Sequence, residues 1–257
     1  MIDLEALETL VERGDVRDRA FVDANLRMAW ARACDAATRV RIETLFRRVV
    51  DASRRAHAAM RAEIASGALR GPALRHRFEE VPALERDHFV EEVLGVAYPP
   101  LEERALEREL VTYTPSGWPE IVHAFDVTKL AAGDRFLDLG AGTGKVVLLA
   151  ALLCGASSFG LECESPLVDL AHSAASELGV EGLVRFIHGD ARTAPVDMVE
   201  VVFMYVPFTG ETFANVMTRV IASRPRFVCA APLGLERLAG LEAVGAPCSW
   251  LQVYALG

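Results

Sequence analysis

The chain has 257 residues, 52% of them apolar, and a formal net charge of −9. That length suits one large domain, or a catalytic domain with an accessory region. Residues 1–110 carry 21 acidic and 18 basic side chains and residues 111–257 carry 15 and 9, so neither part has the basic excess of a nucleic-acid binder. The five cysteines, Cys34, Cys154, Cys163, Cys229 and Cys248, form no C-x-x-C, which suggests neither a disulfide framework nor a zinc site. No leader of basic then apolar residues stands out at the N-terminus. The longest apolar run, Val146 to Ala156, is too short to cross a bilayer. A soluble, cytoplasmic protein without a membrane partner is expected.

Residues 1–66 show helical spacing, with Leu4, Leu7, Leu10 and Val11 first, Val22 and Leu26 next, and Val40 through Ile64 last. Gly14-Asp15 separates the first two helices. An amphipathic bundle is expected, serving as a cap over a site or as a dimer surface. Gly67, Gly71-Pro72 and Pro82 mark residues 67–83 as a connector, followed by a helix over 84–95. Tyr98-Pro99-Pro100 breaks the chain, and Leu101 to Leu110 reads as a short helix. A second domain is expected to open at 111.

From there strands and helices alternate. Pro119 sits in the first turn of a helix over Trp118 to Leu130. Strands are expected at Phe136–Leu139, Ser158–Glu162, Val184–His188, Val199–Tyr205 and Phe227–Ala231, with a last one around Trp250–Tyr254. Helices are expected at Val146–Leu153, Pro166–Leu178, Glu211–Ala222 and Leu235–Val244. The alternation predicts an α/β domain, a mainly parallel Rossmann-like sheet, that binds its ligand at the carboxyl ends of the strands.

The first of these strands runs into Asp138-Leu139-Gly140-Ala141-Gly142-Thr143-Gly144-Lys145. Glycines at alternate positions let a turn take positive φ and let a ligand approach the backbone, and the helix that follows offers N–H groups to an anionic group. A P-loop needs G-x-x-x-x-G-K-[ST], but Gly140 to Gly144 is one residue too short and Val146 stands at the Ser/Thr position. Lys145 is then expected to be a solvated residue opening a helix. A nicotinamide fingerprint needs G-x-G-x-x-G, and here the last glycine comes one position early.

Asp138-x-Gly140-x-Gly142-x-Gly144 resembles motif I of class I S-adenosylmethionine-dependent methyltransferases. Glu162, 24 residues beyond Asp138, ends the second strand, and His188-Gly189-Asp190 ends the third. The resemblance covers 111–257 and implies a seven-stranded sheet behind the N-terminal helical region. It implies that Asp138, Gly140, Gly142 and Gly144 hold the cofactor's amino-acid portion, that Glu162 accepts both ribose hydroxyls, and that Asp190 approaches the adenine. Within that class the chain is similar to the Dot1-like protein-lysine methyltransferases. Tyr113-Thr114-Pro115-Ser116 matches a segment lying over the cofactor, and Phe203 to Glu211 matches a segment whose aromatic, here Phe208, lines the acceptor channel. Val206-Pro207 stands where Dot1 proteins carry asparagines, and there is no basic tail.

The activity this implies is transfer of a methyl group from S-adenosyl-L-methionine to nitrogen or oxygen of a protein lysine or a small molecule, leaving S-adenosyl-L-homocysteine. Tyr205 and Phe208 could form an aromatic wall beside the methyl group, tolerant of a cation, or could simply be core aromatics at a strand end. Glu120 and His123, on the helix before motif I, are the candidate bases. The six histidines are scattered and no metal set is expected. A homodimer through the N-terminal helices is left open as a partner. Two alternatives remain: a non-catalytic cofactor-binding scaffold, and an NAD-dependent Rossmann oxidoreductase.

Overall fold

The computed structural model of the protein describes residues 4–13, 16–97, 109–111, 114–197, 199–205, 207–231, 235–238 and 240–257. Five helices come first: α1 (Leu4–Arg13), α2 (Val16–Arg32), α3 (Ala36–Ala65), α4 (Gly71–Glu79) and α5 (Ala83–Leu94). Then follow α6 (Trp118–Thr128), β1 (Arg135–Leu139), α7 (Lys145–Leu149), β2 (Ser157–Glu162), α8 (Ser165–Glu177), β3 (Val184–His188), β4 (Val201–Met204), α9 (Gly210–Ser223), β5 (Phe227–Ala230), β6 (Leu241–Cys248) and β7 (Leu251–Leu256). Helix α7 continues into one π-helical turn, Ala150–Cys154.

The seven strands form one sheet in the order β3-β2-β1-β4-β5-β7-β6. Strands β1 to β5 are parallel, and β7 runs antiparallel to β5 and β6. The connections run outward from β1 through β2 to β3, then return to place β4 on β1's other side. The direction of winding therefore reverses between β1 and β4, and a crevice opens there at the carboxyl ends.

Side chains alternate across the sheet with the period of two that a strand imposes. Phe136, Val201 and Phe203 pack on one face and Leu137, Leu139, Val202 and Met204 on the other. The first face is covered by α4, α5, α6 and α7 and by the last turns of α3. Met60, Ile64, Phe78, Val90 and Leu94 share one core with Phe136 and Val147. A separate cluster holds Leu7, Val11, Val22, Leu26, Ile42 and Leu45. Helix α3, about 45 Å long at 1.5 Å per residue, belongs to both clusters. Packing divides the chain within α3, so the boundary expected at 110 does not coincide with a break in the core.

Three expectations are corrected. The connector at 67–83 contains α4, opened by Pro72 in its first turn and anchored by Leu74 and Phe78 one turn apart, both fully buried. The helix expected over Leu235–Val244 is a single 3-10 turn, Leu235–Arg237, and then edge strand β6. Gly240 and Gly245 take positive φ in that region, and Pro247 is tolerated because an edge strand leaves N–H groups unpaired. Leu110, read as a helix end, forms an antiparallel bridge with Phe208; residues 101–108 lie outside the described set. No helix among the described residues is long and apolar enough to cross a membrane.

Phe78 packs edge-on against Phe89 and Trp118, with ring centroids 6.3 and 5.5 Å away. Phe78→Ala is expected to lower the unfolding free energy of the whole chain by about 3–5 kcal/mol in chemical denaturation. A loss below about 1 kcal/mol would mean that α4 is not part of the sheet's core.

Candidate functional site

The glycine turn is tied to the end of β2. Gly140 and Ala141 both donate their N–H to the Leu161 carbonyl at 2.9 Å, and Gly144 donates to Ala141 at 2.8 Å. Gly142 donates to Glu162 Oε2 at 2.8 Å. Four of the five amides from Gly140 to Gly144 are thus engaged inside the protein. This is not the cradle of outward N–H groups that holds a phosphate.

The three glycines have φ of 82°, 53° and 84°, in the region that penalises a side chain. Two also serve close packing. A Cβ on Gly140 would collide with the Pro207 ring, and one on Gly144 would lie 2.7 Å from the Phe186 ring.

Glu162 is 8% exposed. Besides Gly142, it accepts the N–H of Cys163 at 2.7 Å and of Glu164 at 2.9 Å, both on Oε1. A carboxylate has about four acceptor positions, so Oε1 is filled and Oε2 keeps one. Accepting two ribose hydroxyls, as the sequence leads one to expect, would require one backbone donor to give way.

A cleft opens beside this tie at the carboxyl ends of the strands. Its walls include Gly140 after β1, Glu162 and Cys163 after β2, Asp190 and Arg192 after β3, and Tyr205 and Phe208 after β4. Leu110, Val111 and Thr114 close it from the chain segment that precedes α6. That segment is held by Val111 N–H on the Pro207 carbonyl at 3.1 Å. Glu109 caps α9 by accepting the N–H of Glu211 and of Thr212 at 3.1 and 2.8 Å. The resemblance placed Tyr113–Ser116 over the cofactor, and Thr114 does line the cleft, but the bonds at 109–111 had no local signal because their partners lie about a hundred residues away.

The candidates differ in placement. Asp190 lines the cleft, and its carboxylate accepts Arg192 Nε at 2.9 Å and the Arg192 backbone N–H at 2.8 Å. Arg192 holds that carboxyl below its ordinary range. Asp190 therefore both shapes its turn and faces the cleft. Tyr205 is half-buried and Phe208 is buried, and both line the cleft while packing on the core. Burial, with a smaller contribution from the charge of Glu120, raises the Tyr205 phenol. Glu120 is 7% exposed, its carboxylate folded back against Gly117 at the start of α6, and it is not among the lining residues.

His123 is corrected as a candidate base. It lines a different cleft with Glu79, Arg86, Trp118 and Asp126, because α4 and α5 pack across that side of α6. Its Nε2 is buried without a hydrogen-bond partner. Tyr113 lies outside the described residues, as does Val206. Among the described residues no three His, Cys, Asp or Glu side chains gather as a metal site would require. The Cys163 thiol at the cleft is pushed up to about 12, by burial first and then by Glu162, which leaves it a weak nucleophile.

Lys145 departs from the expectation of a solvated residue. It is 4% exposed, and its Nζ lies 2.8 Å from Asp87 Oδ1 and 2.8 Å from Glu91 Oε1. Both acids stand on α5, too distant in sequence for any motif to reveal them.

Asp138 is 3% exposed, and no described residue donates a hydrogen bond to its carboxyl. Burial above all, then the charge of Glu162, pushes that carboxyl well above the ordinary carboxylate range. A raised value favours the protonated form in the fold. Its contribution to stability is complete below the unfolded value of about 3.9 and is lost as pH rises through the folded value. Asp138→Asn, which cannot ionise, is expected to flatten that fall when the denaturation midpoint is followed with rising pH. A variant that keeps the parent's pH profile would assign the fall to other groups.

Residues 112–182 match the family model of the histone methylation protein DOT1. Over 65 residues, 25% of this chain, the sequence is 38% identical to the Escherichia coli (strain K12) protein YjhP, and the match spans 26% of that protein's length. In shape the chain is similar to an RNA methyltransferase from Salinibacter ruber in complex with S-adenosyl-L-homocysteine, with TM-score 0.48 and 26% identity over 55% of this chain and 91% of that one. It is also similar to a SAM-dependent methyltransferase from Thiobacillus denitrificans in complex with the same molecule, with TM-score 0.39 and 23% identity over 47% and 50% of the two chains. The seven-stranded, mainly parallel sheet and the glycine turn tied to Glu162 make a Rossmann-like α/β fold, and residues 112–182 within it are the part similar to the DOT1 family.

Proposed function

We propose that the chain moves a methyl group from S-adenosyl-L-methionine to a nitrogen or oxygen nucleophile carried by a protein lysine or a small molecule. The observation that carries this reading is the charge of the cleft. Among the described residues its lining has three carboxylates, Glu162, Glu164 and Asp190, against one cation, Arg192, which is already paired with Asp190. Four of the five amides of the glycine turn are engaged inside the protein. A pyrophosphate would meet carboxylates there and few donors, which counts against a nicotinamide cofactor or a nucleoside triphosphate. A ligand with a sulfonium, an ammonium and sugar hydroxyls meets acceptors instead.

The residues present fit such a ligand. Glu162 Oε2 keeps an acceptor position for a ribose hydroxyl, and the Glu164 and Asp190 carboxylates line the same cleft. When bound, the cofactor supplies a methyl group that is already activated. The remaining task of the protein is alignment and exclusion of water. Tyr205 and Phe208 offer an aromatic wall that desolvates an incoming amine and tolerates positive charge. An ammonium acceptor must lose a proton before attack; Glu120, the carboxylate expected to receive it, is folded back against Gly117 and does not line the cleft, so the proton is left to solvent.

Calorimetry on the full chain is expected to show binding of S-adenosyl-L-homocysteine and none of NAD. Glu162→Ala should weaken that binding by about 1–3 kcal/mol through loss of hydrogen bonds to a charged group. Binding of NAD alone, or an unchanged dissociation constant in a folded Glu162→Ala protein, would contradict the reading. With radiolabelled S-adenosyl-L-methionine and a size-fractionated lysate, label in macromolecules supports a protein acceptor and label in small solutes supports a metabolite. Cofactor binding without label in either fraction would favour a scaffold.

A further inference from the structure

A lysine at the first position of a helix is unfavourable twice over. It faces the positive end of the helix dipole, and burying an ammonium is costly unless it is paired. Lys145 occupies that position in α7, directly after the last glycine of the turn, and is 4% exposed. Its location therefore needs a reason other than helix preference or solvation. The reason lies in its partners. Nζ bonds Asp87 Oδ1 and Glu91 Oε1, each at 2.8 Å, and these acids stand one turn apart on α5.

The same Asp87 Oδ1 also accepts the backbone N–H of Trp118 at 2.8 Å. Trp118 is the first residue of α6. One carboxylate oxygen thus joins the start of α6 to the start of α7. Thr114, four residues before Trp118, and Gly140, five residues before Lys145, both line the cleft. Apolar packing of Val90, Val93 and Leu94 holds α5 on the domain, but packing is non-directional. Hydrogen bonds from a buried ammonium are directional, and they fix how α5 is turned against the two walls.

We propose that Lys145 is a positioning residue for the cofactor. With Asp87 as its shared partner, and Glu91 completing its shell, it sets the spacing between the glycine-turn wall and the α6 wall of the cleft. This makes α5, well before the motif-bearing part of the chain, a component of cofactor binding. The inference rests on the cofactor reading given under Proposed function.

The test is the dissociation constant for S-adenosyl-L-homocysteine, measured on the full chain by calorimetry where near-ultraviolet circular dichroism shows each variant folded. Lys145→Met is expected to weaken binding roughly tenfold. If the pair acts as a unit, adding Asp87→Asn to Lys145→Met should weaken binding by less than about twofold more. Ile42→Ala, in the separate N-terminal cluster, serves as the control. It should lower the melting temperature yet leave the dissociation constant within about twofold of the parent. Should Lys145→Met not fold, Glu91→Gln is read in its place, with an expected loss of about threefold.

Parent-like affinity in the folded Lys145 or Glu91 variant overturns the proposal while the cofactor reading stands. An equal loss in Ile42→Ala also overturns it, since general loosening would then explain both. A parent chain that binds no S-adenosyl-L-homocysteine removes the cofactor reading and this inference together.

Discussion

The bond from the Gly142 N–H to the Glu162 carboxylate is the constraint on which the rest of the site depends. It joins the turn after β1 to the end of β2, and the paired bonds of Gly140 and Ala141 to the Leu161 carbonyl reinforce it. Parallel strands align only backbones; their exits are free to diverge. Here the Glu162 side chain and the Leu161 carbonyl together draw the two exits toward each other and engage three amides of the glycine loop. The cleft beside them is consequently lined with acceptors, which is the chemistry a cationic, hydroxyl-bearing ligand requires. Phosphate-binding glycine loops arrange the same residue type for the opposite purpose.

The helical region does two jobs. Its first part packs on itself around Leu26, Ile42 and Leu45. Its second part, from the end of α3 through α5, forms part of the sheet's own core and supplies the carboxylates that hold Lys145. The chain is therefore better understood as a sheet covered by α4 and α5 with a small bundle projecting on α3. A division into cap and catalytic domain at 110 would cut through buried contacts.

Much of this was legible in the sequence. Five parallel strands and the glycine turn follow from local pattern, because buried strands are short apolar runs and turns need glycine; Glu162 and Asp190 were reached through the resemblance to the methyltransferase motifs. What was missed has a common physical cause. Strand β6 opens in a Leu-, Glu- and Ala-rich stretch, which favours helix, and its ladder forms by pairing with β7. Helix α4 was obscured by Gly71-Pro72, although proline at a helix start followed by Leu74 and Phe78 was a usable signal. Lys145 looked solvated because its partners are 54 and 58 residues away. The strap at 109–111 and the displacement of His123 into another cleft likewise depend on distant packing. Local pattern specifies elements; it does not specify which polar side chains will be buried together.

The cleft combines the carboxylates of Glu162 and Asp190 with an aromatic wall of Tyr205 and Phe208, delivered by the ends of three strands. A crystal structure of the full chain grown with S-adenosyl-L-homocysteine is the most direct test of that arrangement. Density for the adenosine between Glu162 and Asp190, with the amino-acid portion beside the glycine turn and the sulfur toward Tyr205, is the expected result. Density for the adenosyl group elsewhere on the molecule, with this cleft closed, would contradict it.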